Sequence, residues 1–511
     1  MLSEIASGTI TGFDARLTRV EVDLSRGVPS FDIVGLPDKA VRESRERVRS
    51  AIKNSGFDFP LKKITINLAP ADIKKIGPHY DLAIATGILA AAKNINKDML
   101  KEYFIVGELS LSGKVRPVTG ILPITLRLKK EERIKGIIVP AENFSEARLV
   151  EDIEQVPVQN LQQVVNFFNY NQIPAIKIDR KNENKNNNKP EYVMDFSHVK
   201  GQQEAKRALE VAAAGRHNIL MIGPPGTGKT MLARTVRTIL PPLTSEEAME
   251  LTKIHSVLGL TDNTKGLISK RPFRAPHHSI STSGLIGGGH IPEPGEISQA
   301  HYGILFLDEI PEFRRDVLEM LRQPLEEGEV TIVRKTMTAT FPSRFMLIAA
   351  MNPCPCGYFG ADRHECRCTI PRINRYRTKV SGPLMDRIDI HVEVPSLSVE
   401  EMTGDSGGET SAEIRKRVIS AHQRQQNRYR NENVTHNSEL SGKLMEKFCP
   451  LAEGAEYFLQ NAIERLGLSA RGYNKILKMA RTIADLDRSE IIKDTHISEA
   501  IQYRSLNRRI E

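Results

Sequence analysis

Cysteine is scarce in this chain of 511 residues: there are five. So few thiols over that length exclude the disulfide framework that staples small secreted domains. Long apolar runs are missing as well. The longest, Leu82 to Ala92, spans eleven residues and includes Thr86 and Gly87, whereas a membrane-spanning helix needs about 20. The first twelve positions do not resemble a secretory leader, because Glu4 and other polar residues break them up. No segment repeats with a period of roughly 20–50 residues, which excludes solenoids and propellers. These absences predict a cytoplasmic protein with no membrane partner.

What is present fits a soluble globular chain. Hydrophobic residues make up 40% and charged residues 26%, enough apolar side chains to bury cores and too many for a mainly disordered chain. At about 150 residues per domain, the length predicts three to four domains. Lys and Arg number 72 against 63 Asp and Glu, a formal charge of +9. That balance is compatible with a polyanionic partner but does not require one.

The clearest seam is "NQIPAIKIDRKNENKNNNKP", from Asn171 to Pro190, where apolar residues give way to Asn and Lys. It predicts a first block of 1–170, a flexible linker of 171–190, a middle block of 191–402 and a last block of 403–511. A glycine-rich seam, "TGDSGGETS" from Thr403 to Ser411, opens the last block. In the first block, "KITINLAP" alternates Ile64, Ile66 and Leu68 with polar neighbours, as a half-buried strand does. "YDLAIATGILAAA" reads as a buried helix and "KGIIVPAEN" as a strand running into a turn. The middle block alternates apolar strands such as "NILMIG", "GILFLDE" and "RFMLIAAMN" with helical stretches, which predicts a parallel sheet covered by helices. The last block reads as all-helical: Ile476, Leu477, Ala480, Ile483 and Ala484 share one helix face.

"GPPGTGKT" occupies Gly223, Pro224, Pro225, Gly226, Thr227, Gly228, Lys229 and Thr230, directly after an apolar strand and before a helix-forming stretch. This is the strand–loop–helix context of a phosphate-binding P-loop. Glycines let backbone N–H groups converge on phosphate oxygens, Lys229 neutralises the terminal phosphates, and the Thr230 hydroxyl reaches Mg²⁺. A chance glycine-rich turn would not carry all the fixed positions and both flanks. About eighty residues later, Asp308 and Glu309 end another buried strand, at the edge where ligands of open α/β sheets sit. Asp308 suits the Mg²⁺ shell and Glu309 suits polarising the attacking water. An acidic pair ending a strand is otherwise often a helix cap. ATP and Mg²⁺ are the expected cofactors.

These residues resemble the AAA+ ATPases. "RFMLIAAMNPC" is similar to the sensor-1 strand, which implies that Asn352 holds the water or γ-phosphate. "SGPLMDRIDI" is similar to the segment carrying an arginine finger, which implies that Arg387 reaches a neighbouring subunit's nucleotide. "GLSARGYNKILKMAR" resembles sensor 2, with Arg471 in the first turn of a helix that Ser469 can cap. Each arginine alone reads equally as an ion-pair residue. The longer segments "PFRAPHHSIS", "GGGHIPEPGEISQAHYGILFLDEIPEF" and "NPCPCGY" narrow the resemblance to the magnesium-chelatase-like group typified by ComM and YifB, and it covers almost the whole chain. It implies a P-loop AAA+ parallel sheet with a C-terminal helical lid, preceded by an α+β domain similar to the Lon protease domain (ribosomal S5-like).

The resemblance further implies a hexameric ATP-driven motor on single-stranded or branched DNA, serving branch migration during transformation, with recombination proteins as further partners. Two alternatives stay open: an ATP-dependent protease and a chelatase motor subunit acting on a protein partner. A Lon-type peptidase needs a serine nucleophile and a lysine base. Here "GPHYD" places His79 where the serine stands, and Leu122, with Pro123 beside it, where the lysine stands. The first block is therefore expected to lack peptidase activity.

Four cysteines, Cys354, Cys356, Cys366 and Cys368, lie within fifteen residues. Four thiolates can complete a tetrahedral Zn²⁺ shell, with His364 as a substitute ligand; the alternative is reduced, unligated cysteines. Cys449 stands apart and is expected to be buried. The cluster runs into "RHECRCTIPRINRYRTK", with six Lys and Arg against one Glu, a stretch that can meet phosphates while Tyr376 stacks on a base. "EIRKRVISAHQRQQNRYR" is a second basic stretch, and either can instead be a solvated face. The glycine-rich "SGLIGGGHIPEPGE" is expected to form a mobile loop facing a central channel, with His277 and His278 contacting it or packing.

Overall fold

The computed structural model of the chain describes residues 1–175, 194–261, 266–334, 337–361, 364–398, 400–401, 408–466 and 469–504. Most of the expected linker, from residue 176 onward, lies outside the described residues, as do residues 403–407 of the glycine-rich seam and Arg363.

In the first block, Asp14–Ser25 alternates strictly enough to bury Val20, Val22 and Leu24 while Arg19, Glu21 and Asp23 face outward. It pairs antiparallel with Leu2–Thr11 over the whole length of that strand, joined by the tight turn at Gly12 and Phe13. The seven-stranded sheet runs in the order Ser30–Val34, Lys63–Ala69, Asp14–Ser25, Leu2–Thr11, Tyr103–Ile105, Gly136–Pro140, Glu154–Val158. Lys63–Ala69 shows the expected half-buried alternation, and Gly136–Pro140 is the expected strand. The helix Asp81–Ala91 is buried at every residue. Gly87 lets it lie close to the sheet, since a Cβ there would stand 2.6 Å from Val22 Cγ2.

The middle block has a five-stranded sheet ordered Phe273–Arg274, Ile304–Leu307, Met346–Met351, Ile219–Ile222, Ile390–Glu393. All four pairings are parallel, as expected for strands alternating with helices. In register, Ile222 lies beside Met351, and Leu307 beside Ala349, so the P-loop, Asn352 and Asp308 all leave the same carboxyl edge.

The last block is helical, as expected: Ser411–Arg428, Lys443–Phe448, Glu453–Leu466, Ala470–Leu486 and Asp494–Gln502. Ile476, Leu477, Ala480, Ile483 and Ala484 join one core with Leu209, Val211 and Ala212 of the helix Gln203–Gly215. Among the described residues, no helix is long and apolar enough to cross a membrane.

The first block also docks on the middle block. Gly120 donates its N–H to Ser256 O at 3.0 Å, and the Ser256 hydroxyl bonds Glu146. Gly12 abuts Ala339, and Phe13 packs on the core around Phe341 beneath the Lys253 ammonium, 3.8 Å from its ring centroid.

Candidate functional site

The strand Ile219–Ile222 delivers the P-loop, and the helix Lys229–Thr235 starts from Gly228. Gly226 and Gly228 have φ of +79° and +87°, a left-handed backbone that turns successive N–H groups inward and that only glycine adopts without strain. Thr227 steadies the loop by donating to Pro224 O at 3.0 Å. The Lys229 ammonium donates to Gly223 O and Pro224 O, both at 2.7 Å, and to Asn352 Oδ1 at 3.3 Å. Burial pushes this amine down to about 8, against the opposing pull of Asp308 and Glu309.

The Thr230 hydroxyl donates to Asp308 Oδ2 at 2.7 Å. These two oxygens, expected on sequence to share an ion, are thus already adjacent, and they fit the all-oxygen shell Mg²⁺ prefers. Glu309 follows in the left-handed region at φ +51°, its N–H held by Asp308 Oδ1 at 3.0 Å. A non-glycine residue kept there costs about 1–3 kcal/mol, a strain that clusters at functional positions. The structure therefore gathers Gly223–Thr230, Asp308, Glu309 and Asn352 at one sheet edge.

Arg387 and Arg471 stand apart from that cluster. The Arg387 guanidinium pairs with Glu326 and the Pro383 carbonyl, and its side chain is 13% exposed. Arg471 lies in the first turn of Ala470–Leu486, capped by Ser469 as expected. Its partner is Asp386 at 3.4 Å, with the side chain 73% exposed. Neither arginine bonds a P-loop residue, Asp308, Glu309 or Asn352 within the described chain.

The cysteine cluster begins two residues beyond Asn352. Cys354, Cys356, Cys366 and Cys368 place their sulfurs within 4.8 Å of one another. All are free thiols, and Cys449 is buried, as expected. His364 packs on Tyr358, with ring centroids 4.7 Å apart, and is not among the residues that converge.

One reading of the basic stretches needs correction. Tyr376 cannot stack on a base, because it faces the core with Ile373 one helical turn away, and both are buried. In the second stretch, Arg417 pairs with Glu210 and Glu409, and Arg428 with Asp485, so these two charges hold helices together. Arg372 and Arg375 remain exposed on the helix Ile370–Arg377.

The glycine-rich segment contains regular structure where a loop was expected: a short helix, Thr282–Ile286, leads into a hairpin pairing Gly287–Gly288 with Glu293–Pro294. His277 and His278 pack on each other at 4.0 Å between centroids, and His278 lies against Phe313. A second hairpin, Glu329–Arg334 with Met337–Pro342, escaped the sequence reading, although "EVTIVR" and "MTATF" have the β-branched alternation that announces one. Arg334 Nε donates to Gly289 O at 3.3 Å, so the two hairpins touch.

His79, at the position compared with the Lon serine, lines a cavity of about 300 Å³ together with Thr119 and with Val257, Ile291, Pro292 and Glu293 of the middle block. Burial pushes the His79 imidazole down to about 4, so it is neutral near pH 7. Leu122 is fully buried, its N–H bound by Glu146 Oε1 at 2.8 Å. Lys129 is paired with Asp152, and Lys114 is exposed, its backbone bridged to Asn160.

A family model described as magnesium chelatase, subunit ChlI, matches residues 195–402, and one described as subunit ChlI of Mg-chelatase matches 20–143. A third, subunit ChlI C-terminal, matches 408–504. The chain is 44% identical to competence protein ComM of Haemophilus influenzae over 100% of this chain and 99% of the relative. It is 41% identical to the uncharacterized protein YifB of Escherichia coli, over 99% and 98% of the two chains. The magnesium-chelatase subunit ChlI of Cyanophora paradoxa is 25% identical over 48% of this chain and 75% of its own. With its P-loop AAA+ sheet, its helical last block and relatives matched end to end, the chain belongs to the magnesium-chelatase-like AAA+ family that includes ComM and YifB.

Proposed function

We propose that this protein is a ring-forming, ATP-driven motor on DNA, acting on single-stranded or branched recombination intermediates as a hexamer. The observation that carries the reading is the division of the catalytic set. Lys229, Thr230, Asp308, Glu309 and Asn352 converge in one chain, whereas Arg387 pairs elsewhere. A site lacking its cation for the γ-phosphoryl charge is completed when a neighbouring subunit supplies one.

On nucleotide binding, the Lys229 ammonium exchanges its carbonyl partners for phosphate oxygens. Thr230 and Asp308 would hold Mg²⁺, which would supply charge neutralisation for the triphosphate. Glu309 accepts the proton of the attacking water while Asn352 positions it. Arg471, paired with Asp386 in the free chain, would reach the same phosphate only after movement of the helical block. The two touching hairpins and the exposed Arg372 and Arg375 are the candidate DNA contacts; the similarity to a protein named for competence supports a role in transformation, with branch migration as the proposed action. A protease reading finds no support at His79 and Leu122.

Purified protein with ATP and a labelled four-way junction should exchange strands, and the Lys229→Ala variant should lose at least tenfold in rate. Turnover stimulated by a porphyrin-binding protein but indifferent to DNA would replace this reading with the chelatase-motor one.

A further inference from the structure

The four cysteines gather more tightly than reduced thiols require. The sulfurs of Cys354 and Cys356 stand 3.3 Å apart, Cys354 and Cys366 3.7 Å, and Cys356 and Cys366 3.6 Å. None of these is a disulfide, whose sulfurs lie about 2.05 Å apart. A zinc ion bound at about 2.3 Å by four thiolates imposes a sulfur–sulfur edge of roughly 3.8 Å. These three edges approach that length, and with the Cys368 sulfur within 4.8 Å of the others the four leave room for a single ion, not for a multi-iron cluster.

The backbone around the sulfurs is arranged for thiolates. Phe359 N–H points at Cys354 Sγ at 3.3 Å. The N–H groups of Tyr358 and Arg367 face Cys356, that of Cys368 faces Cys366, and that of Cys356 faces Cys368. Each sulfur thus receives at least one amide donor, the outer shell that orients and stabilises metal-bound thiolates. Gly357, at φ +87°, makes the turn that brings the Tyr358 and Phe359 amides inward.

The same loop touches the nucleotide machinery on two sides. Gly357 lies against the P-loop, where a Cβ would stand 2.7 Å from Pro225 Cδ. Arg377 donates to Pro353 O at 3.1 Å, and the Tyr376 hydroxyl faces the Asn352 N–H. We propose that Cys354, Cys356, Cys366 and Cys368 bind one structural Zn²⁺ per chain, and that this metal-closed loop braces Asn352 against the P-loop. The metal site stands independently of the DNA-motor reading, since it calls on no partner, nucleotide or DNA.

The test is elemental analysis of protein purified without a metal-chelate column from zinc-supplemented cells. About one zinc per chain is expected in the wild type and in the Cys449→Ser and Lys229→Ala variants, against near zero in a Cys356→Ser/Cys366→Ser double variant. Should the double variant not fold, wild-type protein titrated with a thiol reagent should release its zinc as four thiols react, followed with a metal-sensitive dye. A zinc-free wild type that takes up none on reconstitution, iron in place of zinc, or zinc retained in the double variant would each overturn the assignment. Zinc removal should also weaken ATP binding about tenfold. Unchanged affinity in the folded, zinc-free protein would refute the bracing role while leaving the site in place.

Discussion

Lys229 is a cation kept in a place that penalises charge. Burial depresses its amine to about 8, and only the nearby carboxylates Asp308 and Glu309 oppose the shift. Triphosphate binding requires the protonated form. Above that pH the free protein must take up a proton to bind, so affinity should fall up to tenfold per unit as pH rises past about 8. Titration calorimetry across pH 7–10 reads this slope, and Lys229→Met should bind weakly with no slope; equal slopes in the two proteins would exclude Lys229 as its source. The opposite sign governs His422, whose ring stacks on His436 with centroids 5.0 Å apart. Burial holds His422 near 4, helped by the charges of Arg271 and Arg216, and pushes His436 well down too. The unfolded chain takes up the protons first, so stability should drop as pH falls from about 6.5 to 4, by about 1–3 kcal/mol for His422 alone. Urea unfolding at pH 7 and pH 5 measures it, and His422→Gln should flatten the dependence.

At the scale of elements, the Gly12–Phe13 turn has the largest reach. It carries the hairpin Leu2–Thr11/Asp14–Ser25 onto Ala339 and the core around Phe341, and Ala339 belongs to the second ATPase hairpin. Phe13→Ala should cost about 1–3 kcal/mol at this half-buried contact. Because the loss falls on the junction between blocks, scanning calorimetry should show the first block melting apart from the rest; one unshifted transition would rule the wedge out. Nothing local announces such a contact, since Phe13 and Ala339 are brought together only by the finished fold. The P-loop was legible because eight contiguous residues build it with their own backbone, and Asp308 because an apolar strand ends there. The face of Ala470–Leu486 was legible only in its apolar part. Arg481 and Asp485 on that helix are buried as well; Asp485 accepts from Arg481, Arg428 and Asn437, and Arg481 also donates to the Ser489 and Glu490 carbonyls, partners that no periodicity reveals. Tyr376 was misread for a related reason: the charges around it obscured its three-residue spacing from Ile373, which is what turns it into the core.

For the whole molecule, the decisive question is where the guanidinium of Arg387 acts. In one chain it is held by Glu326 and a carbonyl, nearly buried, with its Nε unpartnered. Within its own chain it bonds none of Gly223–Thr230, Asp308, Glu309 or Asn352. If the catalytic unit spans two subunits, Arg387→Ala chains retain an intact P-loop, and Lys229→Ala chains retain an intact finger. Each variant alone should turn over ATP at least a hundredfold more slowly than wild type, since a finger of this kind contributes about 10³–10⁵ in rate. Mixed in equal amounts and allowed to exchange subunits, they form some interfaces pairing an intact Lys229 with an intact Arg387. At random about a quarter of interfaces are competent by simple pairing statistics, so turnover should recover to a measurable fraction of wild type, with size-exclusion chromatography confirming mixed assemblies. Recovery cannot occur if both residues serve the same subunit's nucleotide, because no chain in the mixture carries both. Mixed rings that stay as inactive as the separate variants would therefore place Arg387 outside the shared site and remove the coupling of hydrolysis to assembly.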